Sequence, residues 1–132
     1  MNTLAIKTRL NCEMVDITGD VQEAISRLGI TSGIAVVFCP HTTAALTVNE
    51  NCDPDVVHDM LLWMERTIPR TQTGFLHGEG NSDSHIKAAL VGPSVHLIVE
   101  SGKLVLGTWQ GVFFCEFDGP RNRKVHVQII GK

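Results

Sequence analysis

The sequence predicts an α+β fold: one domain of antiparallel or mixed β-sheet carrying short helices, spanning residues 1–132. Three observations lead there. Runs rich in β-branched and aromatic residues alternate with a period of two. Two stretches, around Thr18 and Asp53-Pro54, carry helix-start signals followed by apolar residues at helical spacing. The strand-like segments after Pro93 are separated only by tight turns, which leaves no room for the crossover helices of a parallel sheet. A length of 132 residues suits one core and little more.

In chain order, Thr3 to Arg9 reads as a first strand, and a connector leads to Thr18 as a helix cap. Val21, Ala24, Ile25 and Leu28 then share a helical face, and Gly29 supplies the reversal. Gly33 to Cys39 is a buried strand. Ala44 to Asn49 resumes alternation, with Ala45, Thr47 and Asn49 expected to face a polar cavity. Asp53 caps a helix that has Pro54 in its first turn; its buried stripe is Val57, Met60, Leu61, Met64 and Ile68, and it stops before Pro69. After a loop over residues 70–82, a short helix covers Ser84 to Leu90. Ser94 to Glu100 and Lys103 to Leu106 form a hairpin about Ser101-Gly102. Val112 to Phe117, the turn Asp118-Gly119-Pro120 and Arg123 to Ile130 close the series.

Composition bounds the function classes. Eleven Lys and Arg against fourteen Asp and Glu give a net charge of -3, which offers no general footprint for nucleic acid. Cys12, Cys39, Cys52 and Cys115 form no CxxC unit, and Cys39 and Cys115 sit in apolar runs as small buried hydrophobes. Without a signal-peptide pattern or an apolar run of bilayer length, a cytoplasmic protein with no membrane partner is the expectation. Walker, dinucleotide and nucleophile-elbow motifs are missing.

Chemistry-bearing residues concentrate in His41 to Pro54 and in His77 to His85. Imidazoles and carboxylates suit zinc and also proton transfer near neutral pH. His41 is either a ligand or acid/base at the bend after Pro40, or a neutral histidine bonded to backbone. His77 and Glu79, two apart, share a side if the segment is extended, and His85 falls at a helix start, where free amides favour an anion. Glu50 orients a histidine, acts as a base or faces solvent. Asp53 is first a helix cap and second a catalytic carboxylate, and one group can partly do both. Asn49 and Asn51 either orient a substrate or bond to their own turn. Thr108, Trp109 and Gln110 offer a hydroxyl, an aromatic wall and an amide for a heterocycle. Arg121 and Arg123, beside Lys124, suit phosphate or carboxylate oxygens. For His58, His96 and His126, surface or packing roles are the simpler account.

The segment His41 to Pro54, Val57-His58-Asp59, Ser84-His85-Ile86-Lys87, Gly107-Thr108-Trp109-Gln110-Gly111 and the closing turn resemble, in order and over almost the whole chain, the YjbQ-like family of secondary thiamine-phosphate synthase enzymes. That resemblance implies a homotrimer of compact α+β subunits. It also implies a divalent metal on His41, His77 and His85, zinc by preference or magnesium during diphosphate chemistry, with Glu50 and Asp53 in the supporting polar shell. The implied reaction is a weak secondary transferase activity that joins a pyrimidine diphosphate to a thiazole phosphate and releases pyrophosphate, with Arg121 or Arg123 aiding departure and Glu50 orienting. The expectation is therefore a metal-assisted enzyme acting on a small phosphorylated or anionic metabolite. The alternative is a non-catalytic, metabolite-binding or metal-sensing trimer.

Overall fold

The computed structural model describes all residues 1–132. Its elements are β1 (Asn2–Lys7), β2 (Glu13–Asp16), α1 (Thr18–Leu28), β3 (Gly33–Phe38), β4 (Ala44–Glu50), α2 (Pro54–Thr67), α3 (Ser82–Val91), β5 (Ser94–Glu100), β6 (Lys103–Leu104), β7 (Gln110–Glu116) and β8 (Asn122–Gly131). Every strand pairing is antiparallel. One sheet has the order β1-β8-β3-β5-β6 and the other β2-β7-β4. The α+β expectation holds.

The principal core lies between the sheets. Alternate residues of the larger sheet, among them Ala35, Val37, Leu97, Val99, Val125 and Val127, meet Ala44, Leu46, Val112 and Phe114 of the smaller one. Helix α1 fills the space between them with Val21, Ala24 and Ile25, the face that its spacing predicts. Gly29 ends α1 at φ 70°. Ser101 and Gly102 both take positive φ, 52° and 75°, as a hairpin turn of this kind requires.

Four expectations change. Thr18 is the first helical residue rather than the cap. The carboxylate of Asp16 accepts its N–H at 2.9 Å and its hydroxyl at 2.6 Å, so the capping oxygen comes from two residues earlier. The connector after the first strand contains β2, only four residues long, which is too short to show a period. The second face of β4 meets no polar cavity at Ala45. That residue packs in a second apolar cluster with Ala88, Phe113, Cys115 and Phe117, covered by α3. Finally, α2 keeps its Asp53 cap, whose side chain accepts from the Asp55 N–H, but none of its fourteen residues is buried.

Candidate functional site

The register of β4 against β7 separates the expected site residues. Ala44 lies opposite Glu116 and Glu50 lies opposite Gln110. Six residue steps of extended chain put about 20 Å between these ends. His41 and the histidines of α3 and its preceding loop belong to the first end, and Glu50, Asn51, Asp53 and Trp109 to the second.

The first end is built around a buried ion pair. Arg123 donates through Nε to Glu116 Oε2 at 2.8 Å and through Nη2 to Glu116 Oε1, and Nη2 also donates to Thr43 Oγ1 at 2.9 Å. Thr8 Oγ1–H donates to Glu116 Oε2 at 2.8 Å and the Asp118 N–H donates to Oε1 at 2.9 Å. Burial opposes the ionisation of Glu116, but the bonds from Arg123, Asp118 and Thr8 outweigh it and hold the carboxyl below its usual range. Glu116 is fully buried and Arg123 nearly so. The sequence reading gives Arg123 to phosphate or carboxylate oxygens of a ligand; its Nε and Nη2 are instead spent inside the protein, joining β8 to β7 and to the turn before β4.

Around this pair stand the other residues of the first end. His41 Nε2 accepts the N–H of Lys124 at 2.9 Å, which makes it a neutral histidine with Nε2 already engaged. Burial, and then the positive charge of Arg123, lowers its pKa below the ordinary value. Arg121 remains exposed and holds Asp118 through the carbonyl and the carboxylate, each at 2.8 Å. Asn81 Nδ2 donates to the same carboxylate at 2.8 Å, and its Oδ1 is buried without a partner. Ser84 Oγ–H donates to the Phe117 carbonyl at 2.7 Å, which seats the start of α3 beside Glu116.

His77 and His85 meet edge to face, with ring centroids 5.3 Å apart and planes at 88°. They flank a shallow pocket with Gly74, Phe75, Leu76, Ser82 and Ile86. The route to this pairing differs from the expected one. His77 to Gly80 is a turn, with the Gly80 N–H donating to the His77 carbonyl at 3.2 Å, not an extended segment that aligns His77 with Glu79. His85 lies one turn inside α3, and its N–H is directed to the Asn81 carbonyl at 3.4 Å rather than left free for an anion.

The second end is open. Glu50 Oε2 accepts the Asp53 N–H at 3.3 Å, and Asn49 Oδ1 accepts the Glu50 N–H at 2.7 Å. Gln110 Oε1 accepts the Gly107 N–H at 2.8 Å. Asn51 reaches further: its Nδ2 donates to Asp16 Oδ2 at 3.1 Å and its N–H to the Trp109 carbonyl at 3.0 Å. Burial opposes ionisation of Asp16, but its bonds from Thr18 and Asn51 prevail and lower its pKa. Trp109 is 60% exposed, not core, and Thr108 beside it is exposed too.

Zinc asks for three or four nitrogen, sulfur or oxygen donors in a tetrahedral array. No group of three or more His, Cys, Asp or Glu side chains within the chain is placed to hold a metal ion, and the Nε2 of His41 is occupied by Lys124. The residues of one chain therefore do not fit a complete zinc or magnesium site. His58 is exposed and bonded to neighbouring Asp59, while His126 bonds to Thr3, both as the simpler account held. Cys39 and Cys115 are buried, and burial pushes the Cys115 thiol up to about 12. No helix is long and apolar enough to cross a membrane.

Sequence reasoning missed Glu116, hidden as a charge inside an apolar strand pattern, and the buried pair Lys87–Asp83 of α3, 3.1 Å apart. The i, i+4 spacing of Asp83 and Lys87 was the available signal for the second; nothing local marks the first.

Two antiparallel sheets clasping one helix, with polar clusters at both ends of the smaller sheet, define a small α+β domain of distinctive topology. The family described as UPF0047 protein YjbQ-like matches residues 2–132. The chain belongs to this family. The UPF0047 protein YugU of Bacillus subtilis is 50% identical over 99% of both chains, and a UPF0047 protein of Methanocaldococcus jannaschii is 53% identical over 96% of this chain and 91% of its own. A crystal structure of a YjbQ/UPF0047 family protein from Clostridium acetobutylicum superposes with a TM-score of 0.95 at 51% identity, covering 98% of this chain and all of the other. A conserved hypothetical protein of Thermus thermophilus gives 0.92 at 41% identity, over 98% and 100%.

Proposed function

We propose that the chain is one subunit of a homotrimeric enzyme acting on a small phosphorylated metabolite, at a site assembled from the two ends of β4 on adjacent copies. The observation that carries this reading is the separation of the polar residues into two incomplete halves. One half holds the paired imidazoles of His77 and His85 with exposed Arg121. The other holds Glu50, Asp53 and the exposed Trp109. A head-to-tail ring sets one copy's first end against the next copy's second end, and a closed ring of this kind repeats the same junction at every subunit.

Exposed apolar surface supports association. Leu76, beside His77, is 96% exposed. Ile34 pairs with both Ile98 and Ile130, and these three form an exposed row on the outer face of the larger sheet, the kind of patch that marks interaction sites. In the assembled site the Trp109 ring stacks a heterocycle, Arg121 takes anionic oxygens, and Glu50 orients the histidines or substrate. A divalent metal, zinc or magnesium, belongs to this reading only as a group whose third donor a second copy provides. Secondary thiamine-phosphate synthase activity is the reaction to assay first.

The test is product formation from pyrimidine diphosphate and thiazole phosphate over many turnovers. His85→Ala and Glu50→Gln, each remaining folded and trimeric, are expected to lower turnover by about 100-fold or more. Unchanged turnover in both sinks the assigned site. Saturable metabolite binding with no turnover favours instead the metabolite-binding or metal-sensing trimer.

A further inference from the structure

A second cleft shares no lining residue with the histidine pocket. It has a volume of about 520 Å³ and lies between α2, α3 and the segment joining β1 to β2. Leu61, Leu62 and Ile68 line one side and Phe117 the other. Val57 and Met64 of α2 pack against the second apolar cluster, but Leu61 and Leu62 face this unfilled space, and no residue of the helix is fully buried. Amphipathic helices are held chiefly by what covers their apolar face, so an occupant of the cleft would complete the packing of α2.

The polar groups of the cleft are rich in donors. Lys87 is 4% exposed and its ammonium makes a single bond, to Asp83 Oδ2 at 3.1 Å, which leaves two of its three N–H groups. Arg70 stands at the margin and takes part in none of the five ion pairs of the chain. Glu65 at the rim and Asp83 are the carboxylates, and the Cys12 thiol, whose pKa burial raises, stays neutral. Asp83 is already spent on Lys87, and Glu65, like Arg70, makes none of the ion pairs of the chain, so the donors left for a ligand are Arg70 and two N–H groups of Lys87. Acceptor oxygens from a ligand would match them.

We propose that this cleft binds a small molecule with an apolar or aromatic body and one anionic oxygen group, a phosphate ester or a carboxylate, which Arg70 and Lys87 receive while Leu61, Leu62 and Phe117 enclose the body. This is independent of the shared site, because the cleft uses none of the residues assigned to that site.

Calorimetric titration of the wild-type protein with phenyl phosphate, benzoate and uncharged benzyl alcohol tests it. Saturable binding of at least one anion, with benzyl alcohol about tenfold weaker or more, is expected. Arg70→Ala, at an exposed position, should weaken the anion about tenfold, and Leu62→Trp should abolish binding by filling the cleft. A preference for phenyl phosphate identifies a phosphate ester as the natural group, and the reverse preference a carboxylate. The proposal is overturned if neither anion saturates by about 10 mM, a concentration weaker than useful recognition, if benzyl alcohol binds equally well, or if Arg70→Ala leaves the affinity unchanged. Should Leu62→Trp fail to fold, wild type and Arg70→Ala decide alone.

Discussion

The two ends of β4 are made from similar residue types and use them oppositely. At the Ala44 end, several polar side chains around the Arg123–Glu116 pair bond across eighty or more positions of sequence: Thr8 to Glu116, Arg123 to Thr43, Lys124 to His41. At the Glu50 end most of the bonds span three residues or fewer, as in Asn49 to Glu50, Glu50 to Asp53 and Gly107 to Gln110. Long-range bonds hold strands together and sequester their donors and acceptors. Local bonds shape a turn and leave its outer surface available, so the second end can serve another copy while the first serves mainly the fold.

Breaking the buried pair should have the largest effect. Glu116→Gln leaves the buried Arg123 charge without its partner and is expected to cost about 3–5 kcal/mol in urea unfolding; Asn51→Ala, at the open end, should cost about 1 kcal/mol or less. A loss below about 1 kcal/mol for Glu116→Gln would remove the contrast between the ends.

Glycines sharpen the same contrast. A Cβ on Gly119 would stand 2.3 Å from the Leu10 carbonyl oxygen, a backbone atom, and Gly119→Ala should destabilise by about 1–3 kcal/mol. A Cβ on Gly111 would meet the Asn51 side chain at 2.4 Å, which can swing aside. Gly111→Ala should release Asn51 from Asp16 at a smaller cost, read by thermal unfolding and by a rise in the Asp16 pKa in carboxylate NMR.

The smallest effect concerns His41. Its folded-state pKa is lowered, so the unfolded chain binds the proton first. Stability contributed by the neutral ring is present above about pH 6.5 and is lost as pH falls below that value. His41→Gln should flatten this part of the stability profile as pH falls below about 6.5, measured by denaturant unfolding. Glu116 acts lower: its stabilisation is present above about pH 4.3 and disappears as pH falls through its depressed folded value.

The sequence displays its elements where local chemistry is sufficient. Asp53 and Pro54 announce α2, Gly29 stops α1, and Ser101-Gly102 turns the β5–β6 hairpin. What it conceals depends on partners distant along the chain. Four residues of β2 become a strand only because Phe113 to Glu116 lie alongside. Glu116 looks misplaced in an apolar run until Arg123 and Thr8 arrive. His41 to Pro54 reads as one motif because its residues are adjacent in sequence, yet the extended geometry of β4 carries its two ends apart. The candidate residues were legible by type, while their division into halves required the register.

The most direct test of that division is complementation between defective copies. His85→Ala and Glu50→Gln chains, each inactive alone, are unfolded together in equal amounts, refolded as mixed trimers and assayed for product formation. If each site takes one end from each of two neighbours, a junction is intact when a Glu50→Gln copy supplies the histidine end and a His85→Ala copy the glutamate end, and random mixing restores about a quarter of wild-type activity. If each chain holds a whole site of its own, the mixed trimers remain as inactive as their parents, and that result would contradict the account.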